Sequence, residues 1–142
     1  MPLRLLVTLG VVFAVLVGPA AAETIELEAT LSGASEVPPV ASDGHGSAAV
    51  TVDTASRTMR WEVRVGGLSA PLSAAHFHGP SATSQNAGVV VPIANKGDQS
   101  PFVGSATLDP EQLADLLAGR WYVNIHTPTH PPGEIRGQVV RK

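Results

Sequence analysis

An antiparallel all-β fold is predicted for this chain on three observations. Fourteen glycines and twelve prolines punctuate the sequence at short intervals, as turns between strands do. The segments between them alternate apolar and polar residues and are rich in small β-formers. Only one segment carries helical spacing. Together these predict a Greek-key β-sandwich or flattened barrel of about eight strands, with one short helix near residues 110–118.

Residues 1–22 read as an export leader ahead of that fold. Arg4 is followed by the apolar run Leu5 to Val17, which Gly18 and Pro19 break, and Ala20-Ala21-Ala22 gives a small-residue cleavage pattern. The run is too short for a spanning helix, which needs roughly 18 apolar residues or more. An uncleaved anchor is the alternative, and no second apolar span follows. Cleavage leaves one domain, residues 23–142, expected to be exported to a periplasm or the exterior.

The strands follow in order. Thr24 to Leu31 alternates strictly and is half-buried. Ser35-Glu36-Val37-Pro38-Pro39-Val40 cannot be a central strand, because two prolines remove ladder donors. Ser42 to Gly46 is a loop. Ser47–Val52 and Thr58–Val65 form a hairpin around Asp53-Thr54-Ala55-Ser56. In its second strand Met59, Trp61, Val63 and Val65 share a face, with Trp61 in the core. Ala74–His78 and Val89–Ile93 are the next strands, separated by the polar loop Gly79–Gly88. Phe102–Leu108 precedes the helix.

That helix is capped at both ends. Asp109 suits the N-cap, Pro110 the first helical position, and Gln112 completes a capping box. Leu113, Leu116 and Leu117 form its apolar stripe, and Gly119 fits the residue after the C-cap. Arg120–His126 and Gly133–Val140 are the last strands, joined by a Pro-rich turn.

Composition narrows the function. The net charge is −3 and no basic cluster stands out, which argues against nucleic acid as a partner. With no cysteine there is no disulfide, thiolate chemistry or thiolate zinc site, so packing must hold the domain, helped at most by a metal. No G-x-S-x-G motif supports a hydrolase.

The sharpest chemical signal is His76-Phe77-His78. In a strand His76 and His78 project from one face, so both imidazoles can reach a single ion. His126, on the face shared by Tyr122 and Asn124, completes a three-nitrogen site if its strand pairs with or faces theirs. Such a site suits copper or zinc. Copper is favoured because the ligands are all imidazole and divalent affinities peak at Cu(II). His130 is either a fourth ligand or an exposed turn residue, the latter preferred. His45, between glycines, reads as solvated.

Other polar residues have two readings each. Glu36 is an acceptor for a ligating histidine or, preferably, an acid bonding loop amides. Asn124 holds an imidazole or satisfies the end of the sheet. Glu134 and Arg136 share a strand face and are expected to form a surface ion pair.

Four ordered blocks carry a family resemblance. They are Leu31–Val40 (LSGASEVPPV), Ala75–Pro80 (AHFHGP), Leu116–Thr127 (LLAGRWYVNIHT) and Gly133–Val139 (GEIRGQV). The chain resembles the CHRD domain, the module named after chordin, over essentially all of residues 23–142. The resemblance implies an exported, all-β, single-domain protein and implies little about activity. In animal chordin these domains belong to an extracellular antagonist of bone morphogenetic proteins. This chain lacks that protein's cysteine-rich modules, so that role does not carry over. A more distant similarity links the H-x-H strand and the late histidine strand to Cu,Zn superoxide dismutase. The disulfide, His-rich zinc loop and long electrostatic loop of that family are not evident here. A dismutase or other redox activity would need an open coordination position and substrate access, so the reading leans away from an enzyme. Two functions follow: a metal-binding module, or a metal-free interaction module for an extracellular protein or polysaccharide.

Overall fold

The computed structural model describes Gly18 and residues 21–142. Of the expected leader over residues 1–22, only Gly18, Ala21 and Ala22 fall among the described residues. No helix among these residues is long and apolar enough to cross a membrane.

Nine strands and one α-helix make up the described residues. In chain order they are β1 (Thr24–Ser32), β2 (His45–Asp53), β3 (Thr58–Gly66), β4 (Ala74–His78), β5 (Val89–Asn95), β6 (Phe102–Thr107), α1 (Pro110–Leu117), β7 (Tyr122–His126), β8 (Ile135–Gln138) and β9 (Val140–Arg141). The fold is all-β, as expected. Eight strands form one antiparallel sheet in the order β5-β4-β7-β8-β1-β2-β3-β6, and β9 pairs with β1. Edge strands β5 and β6 approach each other, so the sheet nearly closes into a barrel.

The long strands behave as their alternation dictates. In β1, Ile25, Leu27, Ala29 and Leu31 are buried while Thr24, Glu26, Glu28 and Thr30 are exposed. Every residue of β1 is paired with β2, from Thr24 with Asp53 to Ser32 with His45. In β3, Met59, Trp61 and Val63 are buried, and Trp61 meets the Phe77 ring edge-on at 5.3 Å between centroids. Burying a side chain of this kind contributes about 1.5–3 kcal/mol.

Helix α1 has the expected capping box: the Asp109 carboxylate accepts from the Gln112 amide, and the Gln112 side chain accepts from the Asp109 amide. Leu116 is fully buried, with Leu113 and Leu117 packed partly against the core. Gly119 takes a positive φ of 72° just past the helix. Segment 36–40 forms no strand, in line with its prolines.

β4, β7 and β8 differ from β1–β3 because both of their faces are covered. Ala75, Phe77, Val123, Ile125 and Ile135 enter the apolar core. The alternate positions carry His76, His78, Tyr122, Asn124, His126 and Arg136. Segments 36–40, 79–88 and 128–133 close over parts of this polar face, which holds the candidate site.

Candidate metal centre

The antiparallel pairing of β4 with β7 sets Ala74 opposite His126, His76 opposite Asn124, and His78 opposite Tyr122. His126 therefore lies diagonally across from His76, on the same face. Its backbone is held there by the Ser73 amide, which donates to the His126 carbonyl at 2.9 Å. The three rings gather, with centroids 5.1 Å apart for His76–His126, 5.6 Å for His76–His78 and 5.8 Å for His78–His126. One donor nitrogen from each lies within 4.8 Å of the other two. Metal–nitrogen bonds of about 2 Å put two donors at most about 4 Å apart, so a 4.8 Å spread is close to that of a ligand set.

Two of the rings are oriented by backbone carbonyls. His78 Nδ1–H donates to the Ala87 carbonyl at 2.9 Å, and His126 Nδ1–H donates to the Pro131 carbonyl at 2.9 Å. That fixes the tautomer and leaves each Nε2 with a lone pair. His78 Nε2, His126 Nε2 and His76 Nδ1 are all buried, without a hydrogen-bond partner among the described residues. Buried polar atoms are rarely left unpaired, and three in one cluster of imidazoles call for a shared partner.

Burial favours the neutral form of all three rings. Burial holds His76 below the ordinary imidazole range, reinforced by the His126 and His78 rings. Burial also lowers His78, against the pull of its Ala87 hydrogen bond, with His126 and Arg136 adding to the effect. For His126, burial outweighs the Pro131 hydrogen bond. Neutral imidazoles are the form that binds metal.

The surroundings form a second tier of support. Tyr122 stacks on His78 at 5.0 Å with the rings 8° from parallel. Its hydroxyl donates to the Ala87 carbonyl and accepts from the Ala87 amide, pinning the residue that orients His78. The Arg136 guanidinium lies 3.5 Å from the other ring's centre, that of Tyr122, and donates to Asn86 Oδ1 and the Gln85 carbonyl. The loop 79–88, read from sequence as a polar excursion, is thus tied down over the site.

Glu134 and Arg136 correct the expectation of a surface ion pair. Both are fully buried, and they bond to different partners. Glu134 accepts from the Ser42, Ser69 and Thr127 hydroxyls and from the Ser69 amide. Burial pushes its carboxyl up, but these four donors outweigh it and hold the pKa at about 2. Through Thr127 this carboxylate braces the residue after His126.

Glu36 meets the loop-amide expectation only in part: the Val37 amide acts on its carboxylate, but one carboxylate oxygen is buried with no partner among the described residues. Burial raises its pKa to about 7, against the lowering by Arg136 and the Val37 amide. Asn124 donates to the Pro132 carbonyl at 3.3 Å, tethering the turn whose Pro131 carbonyl orients His126. Gly133 lets this turn approach: a Cβ there would come within 2.6 Å of both Asn124 and Glu36, and its φ is 139°.

His130 stands outside the triad. It is half-buried and lines a cavity of about 420 Å³ together with Glu36 and His78. His45 is exposed, bonded to the Asp43 carbonyl. The supports that sequence reading missed are the Ala87 and Pro131 carbonyls, the stacked Tyr122–Arg136 pair and the Glu134 hub. Only Tyr122 left a trace in the sequence, through its shared parity with His126.

No curated protein and no solved structure matches the chain. A family model does: that of the CHRD domain, over residues 27–139, from within β1 to the residue before β9. The match takes in all three converging histidines and the segments that orient them, and the chain belongs to the CHRD domain family.

Proposed function

We propose that this CHRD domain binds one transition-metal ion through His76, His78 and His126, with copper favoured over zinc. One observation carries the reading: His76, His78 and His126 each bring a ring nitrogen within 4.8 Å of the other two, each has a buried ring nitrogen without a partner among the described residues, and two of the rings commit their other nitrogen to a carbonyl. All-imidazole donors and the affinity maximum at Cu(II) favour copper. Residues 1–22 act as an export leader in this account, and residues 23–142 work outside the cytoplasm. A role there in copper buffering or delivery fits a site that needs no catalytic side chain.

Thermal denaturation of the apo protein with added Cu(II) tests this. A metal that binds only the folded state stabilises it, by about 2.7 kcal/mol at a hundredfold excess over Kd. The shift is expected in the parent protein and absent in His78→Ala. No shift in the parent protein would redirect the search to a metal-free module engaging a protein or polysaccharide.

A further inference from the structure

Three protein ligands leave a metal with coordination to fill, and the fold determines what can reach it. His76 and His126 both line a cleft of about 720 Å³ beside the triad. That is within the size range of small-molecule sites, about 300–1,000 Å³, and far more than a water or dioxygen requires. Its walls include Leu72, Ala74, Pro128 and Pro131. Lys96, exposed on the turn after β5, is the one charged residue lining it among the described residues. Among the described residues no carboxylate lines the cleft.

We infer that the open position of the metal takes a small organic carboxylate with an apolar body, seated in this cleft. The inference rests on the metal reading of the triad. A carboxylate oxygen supplies the donor the metal lacks. The ion and Lys96 both favour negative charge, and the proline and aliphatic walls cover an apolar body but offer little to hydrogen-bond a polar one. Pro131 belongs both to this wall and to the carbonyl contact that orients His126, so occupancy of the cleft is coupled to the ligand geometry.

The test uses the purified protein loaded with one equivalent of Cu(II). Benzoate and acetate are titrated separately while the copper d–d absorption and electron paramagnetic resonance spectrum are followed. Benzoate is expected to shift both saturably and to bind about tenfold or more tighter than acetate, because its ring is buried. Ala74→Phe, which fills the cleft from a residue that is not a ligand, should keep copper and lose the benzoate response. Lys96→Glu, on an exposed turn, should keep copper and weaken benzoate. If copper binds and depends on His76 but benzoate has no effect, or acts no better than acetate, the inference is overturned and the metal reading stands. If copper does not bind at all, the metal reading falls and the inference with it.

Discussion

Replacing Glu36 with glutamine separates the charge of this buried acid from its shape. Glu36 is 6 % exposed and its carboxyl is raised from an ordinary 4.5 to about 7, chiefly by burial. Between those values the folded protein holds a proton that the unfolded chain has released. Glu36 therefore costs nothing well below pH 4.5, and stability is lost progressively as pH rises toward 7. At 1.36 kcal/mol per pH unit the full cost is about 3 kcal/mol by pH 8, against about 1 kcal/mol at pH 5. Glutamine cannot ionise, so its stability relative to the parent protein should improve by about 2 kcal/mol between those pH values. Any constant cost of the amide cancels in this difference. Urea unfolding of the metal-free proteins at pH 5 and pH 8 measures it. An unchanged difference between variant and parent across that range would refute the argument, and would mean that Glu36 is solvated or firmly paired in solution.

Three further outcomes are expected. The triad imidazoles all titrate below 6.5 in the fold. Just below pH 6.5 the unfolded chain thus binds more protons, and apo stability should fall with acid until the folded rings also protonate. His76→Asn should reduce that slope in a pH series of urea midpoints, and a slope equal to the parent's would count against the buried triad. Gly133→Ala forces a Cβ into Asn124 and Glu36 at an unfavourable φ. It should cost about 2 kcal/mol or more and weaken copper binding, read by thermal melts and competitive titration. Glu134→Gln turns an amide toward donors that a carboxylate satisfied. It should destabilise by about 2–4 kcal/mol at pH 7, with the deficit shrinking progressively as pH falls from the ordinary carboxyl value of 4.5 toward 2.

The elements whose one face meets solvent were legible in the sequence. The alternation of Thr24 to Leu31 and of Thr58 to Val65 reports burial directly, and the helix announces itself through Asp109, Gln112 and Gly119. Strand parity also placed His76 with His78 and His126 with Tyr122. The pairing of β4 with β7 is a long-range fact that no local pattern encodes. The last strand was expected as one segment from Gly133 to Val140. It divides because Ile135–Gln138 pairs with β7 while Val140–Arg141 pairs with β1, and the Val139 amide turns to the Trp121 carbonyl. Glu134 and Arg136 misled for a related reason. A polar residue beneath a covering loop has the same sequence signature as one facing water, and the atoms that satisfy these two, hydroxyls of Ser42, Ser69 and Thr127 for Glu134 and chiefly loop oxygens for Arg136, lie outside the strand pattern.

A single metal site made by His76, His78 and His126 is open to equilibrium dialysis of untagged protein against buffered Cu(II) and Zn(II), followed by elemental analysis. One copper per chain is expected, held more tightly than zinc and lost in His76→Ala, His78→Ala and His126→Ala alike. Copper retained undiminished in those variants, or no stoichiometric metal in the parent protein, would contradict it.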